Sequence, residues 1–227
     1  LGSTDVVILS SGGTADGSGD INVNDAVSWS QNKLTLTAAK DININAVMTS
    51  GGTSTLALNT ATTNGGDNAV TGGHVKVGMD RDGFRGRVDF ANSGTEILTV
   101  NGAVYDVLNT YTQVKGMAGT GNFALGTNLD FTGEAKFVPI ATYAGNFNGL
   151  GHTITKMVID GGGAADTGMF KVAAGTSDIR NIGLVSGVVD NGGAGTGGLI
   201  GSGSTGTVSN SYNTGTVSGA AGTGGLV

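Results

Sequence analysis

The chain has 227 residues, of which 44 are glycine, one is proline and none is cysteine; charged residues make up 12% and the formal net charge is −6. A pI near 4.6 leaves no basic field for a phosphate backbone, so nucleic acid is not an expected partner. The lack of cysteine excludes disulfides and thiolate metal sites, and no run of 18 apolar residues could cross a membrane as a helix. Hydrophobic content of 38% is too high for a disordered chain of such low charge, and glycine without collagen's third-position rule marks turns.

Taken in order, the first strands are short and alternating: Ile21-Asn22-Val23, Leu34-Thr35-Leu36-Thr37, Ile42-Asn43-Ile44-Asn45 and Leu56-Ala57-Leu58-Asn59. Apolar residues two apart describe half-buried strands with Asn and Thr on the outer face. Two pairs repeat: Asp20-Ile21-Asn22-Val23 with Asp41-Ile42-Asn43-Ile44 at 21 positions (41 − 20), and Leu34 and Leu36 with Leu56 and Leu58 at 22 (56 − 34). The segments Ser10-Ser11-Gly12-Gly13, Ser50-Gly51-Gly52-Thr53 and Asn64-Gly65-Gly66-Asp67 are turn chemistry. Val75-Lys76-Val77, Arg87-Val88-Asp89-Phe90 and Ile97-Leu98-Thr99-Val100 continue the strands at less regular spacing, and a single helical turn fits around Tyr111 to Val114. Units this short enclose no core alone, so successive copies are expected to stack, pairing backbones at about 4.8 Å per turn.

The run Asp20 to Ala46, with Val27-Ser28-Trp29-Ser30 and Gly83-Phe84-Arg85-Gly86-Arg87-Val88-Asp89-Phe90, resembles the shaft repeats of two-partner-secreted adhesins of the filamentous-haemagglutinin and high-molecular-weight class. That resemblance implies a right-handed parallel β-helix exported through an outer-membrane secretion partner. A boundary near residue 110 separates this shaft, residues 1–110, from a second region, residues 111–227, expected to continue the same stack.

From Gly151 to Val227 one unit is stated three times. Its first half places apolar residues at i, i+3 and i+5: Ile154, Met157 and Ile159, then Ile179, Ile182 and Leu184, 25 positions on (179 − 154), with a degenerate copy at Val208-Ser209-Asn210-Ser211. Its second half is Gly168-Met169-Phe170, Gly198-Leu199-Ile200 and Gly225-Leu226-Val227, at spacings of 30 (198 − 168) and 27 (225 − 198). Periods of 20 to 50 residues mark stacked repeats. With Phe147-Asn148-Gly149-Leu150-Gly151-His152-Thr153-Ile154, these elements resemble the GLUG repeats of secreted bacterial exoproteins, whose glycine-leucine-apolar-glycine core is met by Gly198-Leu199-Ile200-Gly201. Gly168-Met169-Phe170-Lys171 departs from it. Asn122 to Phe131 and Phe137-Val138-Pro139-Ile140 look like the lead-in to such repeats, with Pro139 at a strand edge or turn. The start Leu1-Gly2-Ser3-Thr4-Asp5, unlike a secretion signal, and an end inside a repeat lead us to expect a piece of a longer protein.

The fold expected is therefore all-β: a right-handed parallel β-helix, or β-solenoid, in a single elongated stack of about ten turns of 21–27 residues, on the order of 50 Å long. Asn181 and Asn210, at equivalent places after Ile179 and Val208, are expected to turn their amides inward onto backbone groups of adjacent turns, with Lys156 breaking the pattern and Asn213 outside it.

Several constellations invite chemistry. Asp16-Gly17-Ser18-Gly19-Asp20 with Asn22, Asn24 and Asp25 offers hard oxygens for calcium, but Ile21 and Val27 stand where an EF-hand needs glycine and glutamate, and a polar turn explains the run. Asp80, Arg81, Asp82, Arg85, Arg87 and Asp89 could recognise acidic glycans, or form a solvated turn of local ion pairs. His74 and His152 have no nucleophile beside them in sequence, and His152 reads as a turn residue. Trp29, Phe84, Phe147 and Phe170 read as core or rim packing. A polysaccharide-cleaving β-helix would need acids gathered on one face; the only carboxylates that repeat in register are Asp20 and Asp41.

No catalytic, cofactor-binding or metal residue is assigned, and the ligand-binding residues are unknown. The resemblance implies a non-enzymatic segment of a secreted, surface-displayed bacterial adhesin that attaches to host receptors, glycans or biofilm matrix polysaccharide, and a monomeric fragment. A passive stalk displaying another domain, and a polysaccharide-acting enzyme, are the other two readings.

Overall fold

A computed structural model describes residues 2–11, 17–61, 73–91, 95–203 and 205–227. The turn residues Gly12, Gly13 and Asn64 to Asp67, and Asp16 of the calcium run, lie outside it. Among the described residues are 27 strands and one helix, Tyr111–Lys115, so the protein is nearly all β. Its strands pair mostly in parallel; antiparallel pairs include the hairpins Met79–Asp80 with Gly83–Phe84 and Ile97–Val100 with Ala103–Leu108. The chain divides into two compact units, Leu1–Val107 and Leu108–Val227.

In the first unit, Val6–Leu9, Lys33–Thr37, Thr55–Asn59 and Ile97–Val100 lie side by side in parallel. Ile21–Val23, Ile42–Ile44 and Val75–Val77 make a second sheet, and Val27–Trp29, Val47–Ser50 and Arg87–Phe90 a third. The pairings at 21 and 22 positions are present, Ile21 beside Ile42 and Leu34 beside Leu56. The alternation does what it predicts: Leu34, Leu56 and Leu98 form a buried column while Thr35 and Thr99 stay half-exposed. Each such side chain contributes roughly 1.5–3 kcal/mol by burial. The next steps are longer than expected, 33 positions from Ile42 to Val75 (75 − 42) and 42 from Leu56 to Leu98 (98 − 56), because extra segments are inserted between paired strands.

The second unit has four parallel sheets. Asn122–Leu125, Asn146–Asn148, Asp178–Arg180 and Thr207–Ser209 form one, and Leu129–Asp130, Thr153–Thr155, Gly183–Val185 and Tyr212–Asn213 another. The other two are Val158–Asp160, Val188–Asp190 and Thr216–Ser218, and Ile140–Tyr143, Phe170–Ala173 and Ile200–Gly203. The core columns are Phe123, Phe147 and Ile179; Ile154 and Leu184; Ile159 and Val189; Phe170 and Ile200. Tyr143 and Phe147 pack on Phe170 at ring-centre separations of 4.8 and 5.6 Å.

This register corrects one expectation. Ile154 is paired with Leu184, 30 positions on (184 − 154), and not with Ile179, whose partner is Phe147. Apolar residues at i, i+3 and i+5 are what any strand–bend–strand corner produces, and a repeat with several faces has several corners. The 25-residue match superposed corners of different faces. The glycine elements were aligned correctly: Phe170 pairs with Ile200, and Thr196 bridges Thr167 and Thr223. Gly201, the last glycine of the motif, shows why the residue matters, since a Cβ there would run into the backbone of Asp166 and Thr167.

The helical turn is real but brief. Thr110 caps it by accepting the Gln113 N–H at 3.2 Å, and Gly116 ends it. Pro139 directly precedes the edge strand Ile140–Tyr143, where its missing N–H costs no ladder bond.

Candidate functional site

In the first unit, the outer polar side chains bond from one repeat to the next. Asp20 Oδ1 accepts the Asp41 N–H at 3.0 Å, and Asp41 Oδ1 in turn accepts the His74 N–H at 2.8 Å. Asn43 Nδ2 donates to Asn22 Oδ1 at 3.0 Å and Asn45 Nδ2 to Asn24 Oδ1 at 2.9 Å. So the oxygens of Asp20, Asn22 and Asn24, candidates for calcium, are engaged by the following repeat, while Asp25 is exposed. Among the described residues no cluster of three or more His, Asp or Glu is placed to hold a metal ion. Burial alone would raise the Asp41 carboxyl, but its bonds from Lys76 Nζ at 2.6 Å and the His74 N–H hold it below the ordinary carboxylate range.

The charge cluster forms a hairpin and the strand after it. Arg85 lies 3.7 Å from Asp80, Arg81 lies 3.4 Å from Asp82, and Arg87 lies 2.8 Å from Asp89. With Arg81 and Asp82 91% and 79% exposed, such pairs contribute little to stability.

In the second unit, amides stack inside the protein. Asn181 Nδ2 donates to Asn148 Oδ1 at 2.9 Å, and Asn210 Nδ2 donates to Asn181 Oδ1 at 2.7 Å. Asn181 is fully buried, and both it and Asn210 hold left-handed backbone, φ 56° and 45°. The inward turn at a bend is as expected. The amides pair with one another, and the ladder extends to Asn148, whose Oδ1 also accepts the Leu150 N–H at 3.0 Å. Lys156 belongs to another corner, beside Ser186, where both residues again take positive φ. Asn213 is no idle position, since it donates to the Gly225 carbonyl and accepts the Gly215 N–H.

Beside the ladder, Asp178 and Arg180 form a buried ion pair on one strand. The Tyr143 hydroxyl has the carbonyls of Asn146 and Gly121 as acceptors at 2.8 and 3.1 Å, and burial, with the Asp178 charge, pushes its pKa well up. His152 is buried, its Nδ1 3.2 Å from Asn128 Oδ1, with backbone bonds to Gly149 and Gly183. Trp29, Phe147 and Phe170 are buried; Phe84 is half-exposed in the hairpin.

The register also adds a carboxylate column missed in the sequence. Asp160 pairs with Asp190 and Asp190 with Ser218. Lys136 Nζ neutralises Asp160 at 2.6 Å and lowers its pKa, and Ser218 donates to Asp190 at 2.6 Å. In front of them stand Val158 and Val188, both over 40% exposed. The signal that could have found this column is the repeated Val-x-Asp at 30 positions (188 − 158), hidden by the 25-residue alignment.

No family model matches the chain, and no solved structure matches it. A stretch of 72 residues, 32% of this chain, is 40% identical to Halomucin of Haloquadratum walsbyi. The match covers 1% of that protein's length.

Proposed function

We propose that this chain is a non-enzymatic segment of a secreted bacterial surface adhesin of the two-partner-secreted class with GLUG repeats. We further propose that its parallel strands coil as a β-helix, in the right-handed form that the resemblance implies. The observation that carries the reading is the in-register pairing of like side chains, apolar on the inner faces and Asn, Thr and Asp on the outer ones. Such a surface can vary from turn to turn without disturbing the core, so contact with a receptor, glycan or matrix polysaccharide spreads over several turns. Affinity then comes from many weak contacts and many copies. The partial match to Halomucin, a protein named as a mucin, adds support for a surface role.

One observation favours the stalk. The outer amides of Asn22, Asn24, Asn43 and Asn45 bond to each other, which stiffens the surface as well as decorating it. Beads carrying many copies separate the two readings. Adhesion to host cells, mucin or matrix polymer above that of an unrelated β-protein supports the adhesin, while a single chain binds in the micromolar to millimolar range, about −8 to −4 kcal/mol. Adhesion to none of these surfaces leaves the stalk. Cleavage of an acidic polysaccharide that is lost on Asp160→Asn or Asp190→Asn overturns both.

A further inference from the structure

The strand Val6–Leu9 ends its sheet, paired with Lys33–Thr37 alone in unbroken register from Val6 beside Leu34 to Leu9 beside Thr37. Ser10 donates its N–H to the Thr37 carbonyl at 3.0 Å, so the peptide joining Leu9 to Ser10 turns the Leu9 carbonyl the other way. Backbone groups alternate along such a pair. Those of Ile8 therefore face Lys33–Thr37, and those of Val7 and Leu9 face the open edge, to which nothing bonds among the described residues. The side chains agree. Val7 and Leu9 point outward and are 61% and 51% exposed. Val6 and Ile8, in register with the core residues Leu34 and Leu36, point inward, yet Ile8 is 46% exposed because no further strand lies over it. With Val6, Ile21, Val23, Val27 and Leu36 it lines an apolar cup of about 450 Å³. Ile21–Val23 and Val27–Trp29, which complete the cup, are likewise the end strands of their sheets.

We propose that this edge is the contact through which two copies of the chain form a two-fold dimer, their Val6–Leu9 strands running antiparallel. Val7 of one copy exchanges both backbone bonds with Leu9 of the other, and Ile8 lies beside Ile8 over the facing cups. The edge is complementary to itself: in an antiparallel pair centred on Ile8, the outward N–H and C=O groups of Val7 and Leu9 satisfy one another. On the outer face Val7 then covers Leu9 as a cross-strand apolar pair. Charge points the same way, since a chain of net charge −6 repels its own copies over most of its surface, and Val6–Leu9 carries no charge. Nor does the strand hold the lysine, proline or bulge with which a sheet edge keeps other strands away. Head-to-tail addition fits worse. The strands that end the second unit's four sheets, Thr207–Ser209 and Thr216–Ser218 among them, cannot be laid in step on three. The dimer is independent of the adhesin and stalk readings, and it replaces the monomer that the sequence resemblance implies.

Light scattering on the full chain, from about 1 to 200 µM, should show the mass rise from 22.3 kDa to twice that, with a dissociation constant in the micromolar range. Ile8→Lys and Val7→Pro should hold it at the monomer mass. The proline removes an N–H that faces away from Lys33–Thr37, so fluorescence of the buried Trp29 should report a first unit that is still folded. Val158→Lys, at an exposed valine of the second unit, should dimerise as the wild type does. Because the chain has no cysteine, Ile8→Cys tests the two-fold itself: oxidation should join two copies by a disulfide, whereas Val158→Cys should stay single. A chain that is monomeric at every concentration overturns the proposal and leaves the edge to a strand of another protein. So does a dimer that survives Ile8→Lys or that Ile8→Cys fails to cross-link, and so does a mass that climbs past two copies, which would mean head-to-tail addition.

Discussion

The two units use the same device, a column of side-chain amides, on opposite sides of their sheets. In the first unit Asn22 and Asn43 pair on the exposed outer face, and the spacing between paired strands wanders from 21 positions (42 − 21) to 42 (98 − 56). In the second, Asn148, Asn181 and Asn210 pair largely out of water, and spacings stay between 24 (146 − 122) and 32 (178 − 146). The difference is physical. An exposed amide that loses its partner bonds to water, whereas a buried one is left unsatisfied at a cost of about 1–3 kcal/mol. The buried ladder therefore penalises a slipped register, and the exposed one tolerates insertions such as the charged hairpin.

The largest expected effect tests close packing in the second unit. Gly201→Ala drives a methyl into the backbone of Asp166 and Thr167, and should destabilise that unit by about 3 kcal/mol or more. An unchanged melting temperature would mean that the repeats are not in close contact there.

Next comes the ladder comparison itself. Asn181→Ala should cost about 1–3 kcal/mol, measured by denaturant unfolding. Asn43→Ala, whose partner Asn22 can turn to water, should cost no more than about 0.5 kcal/mol. Equal losses would erase the distinction between the units.

A smaller effect should appear with pH. The folded Asp41 carboxyl lies below its ordinary value of 3.8, so its stabilisation is complete at about pH 5 and is lost as pH falls through 3.8 and then through the folded value. Trp29 is the only tryptophan and is buried in the first unit, so its fluorescence reports that unit. Melting followed this way should drop between pH 5 and 3, and Asp41→Asn should flatten the drop. A steeper drop in the variant would contradict the assignment.

Much of this architecture was legible because alternation is a local signal. Ile21-Asn22-Val23 and Leu34-Thr35-Leu36-Thr37 announce strands, and their copies at 21 and 22 positions give the pairing. Val6–Leu9 and Ala103–Leu108 gave no such signal, the first being continuously apolar. Register in the second unit was legible from glycine, which marks one unmistakable place per repeat, and illegible from the apolar triplet, which recurs at each corner. Asn148 escaped notice for the same reason: it joins the ladder from a position one residue out of step with Asn181, whose strand pairs Arg180 with Asn148.

The account rests most heavily on repeats in the second unit pairing 30 positions apart (188 − 158) at Val158 and Val188. Both side chains point outward and are exposed, so cysteines there will take spin labels without disturbing the core. With the backbones about 4.8 Å apart, the doubly labelled chain should show strong dipolar broadening in its electron paramagnetic resonance spectrum. A 25-residue register would displace Val188 by five residues, on the order of 17 Å along the strand, and leave the spectrum close to the sum of the two single labels. That second spectrum would contradict the paired columns on which both the fold and its proposed contact surface depend.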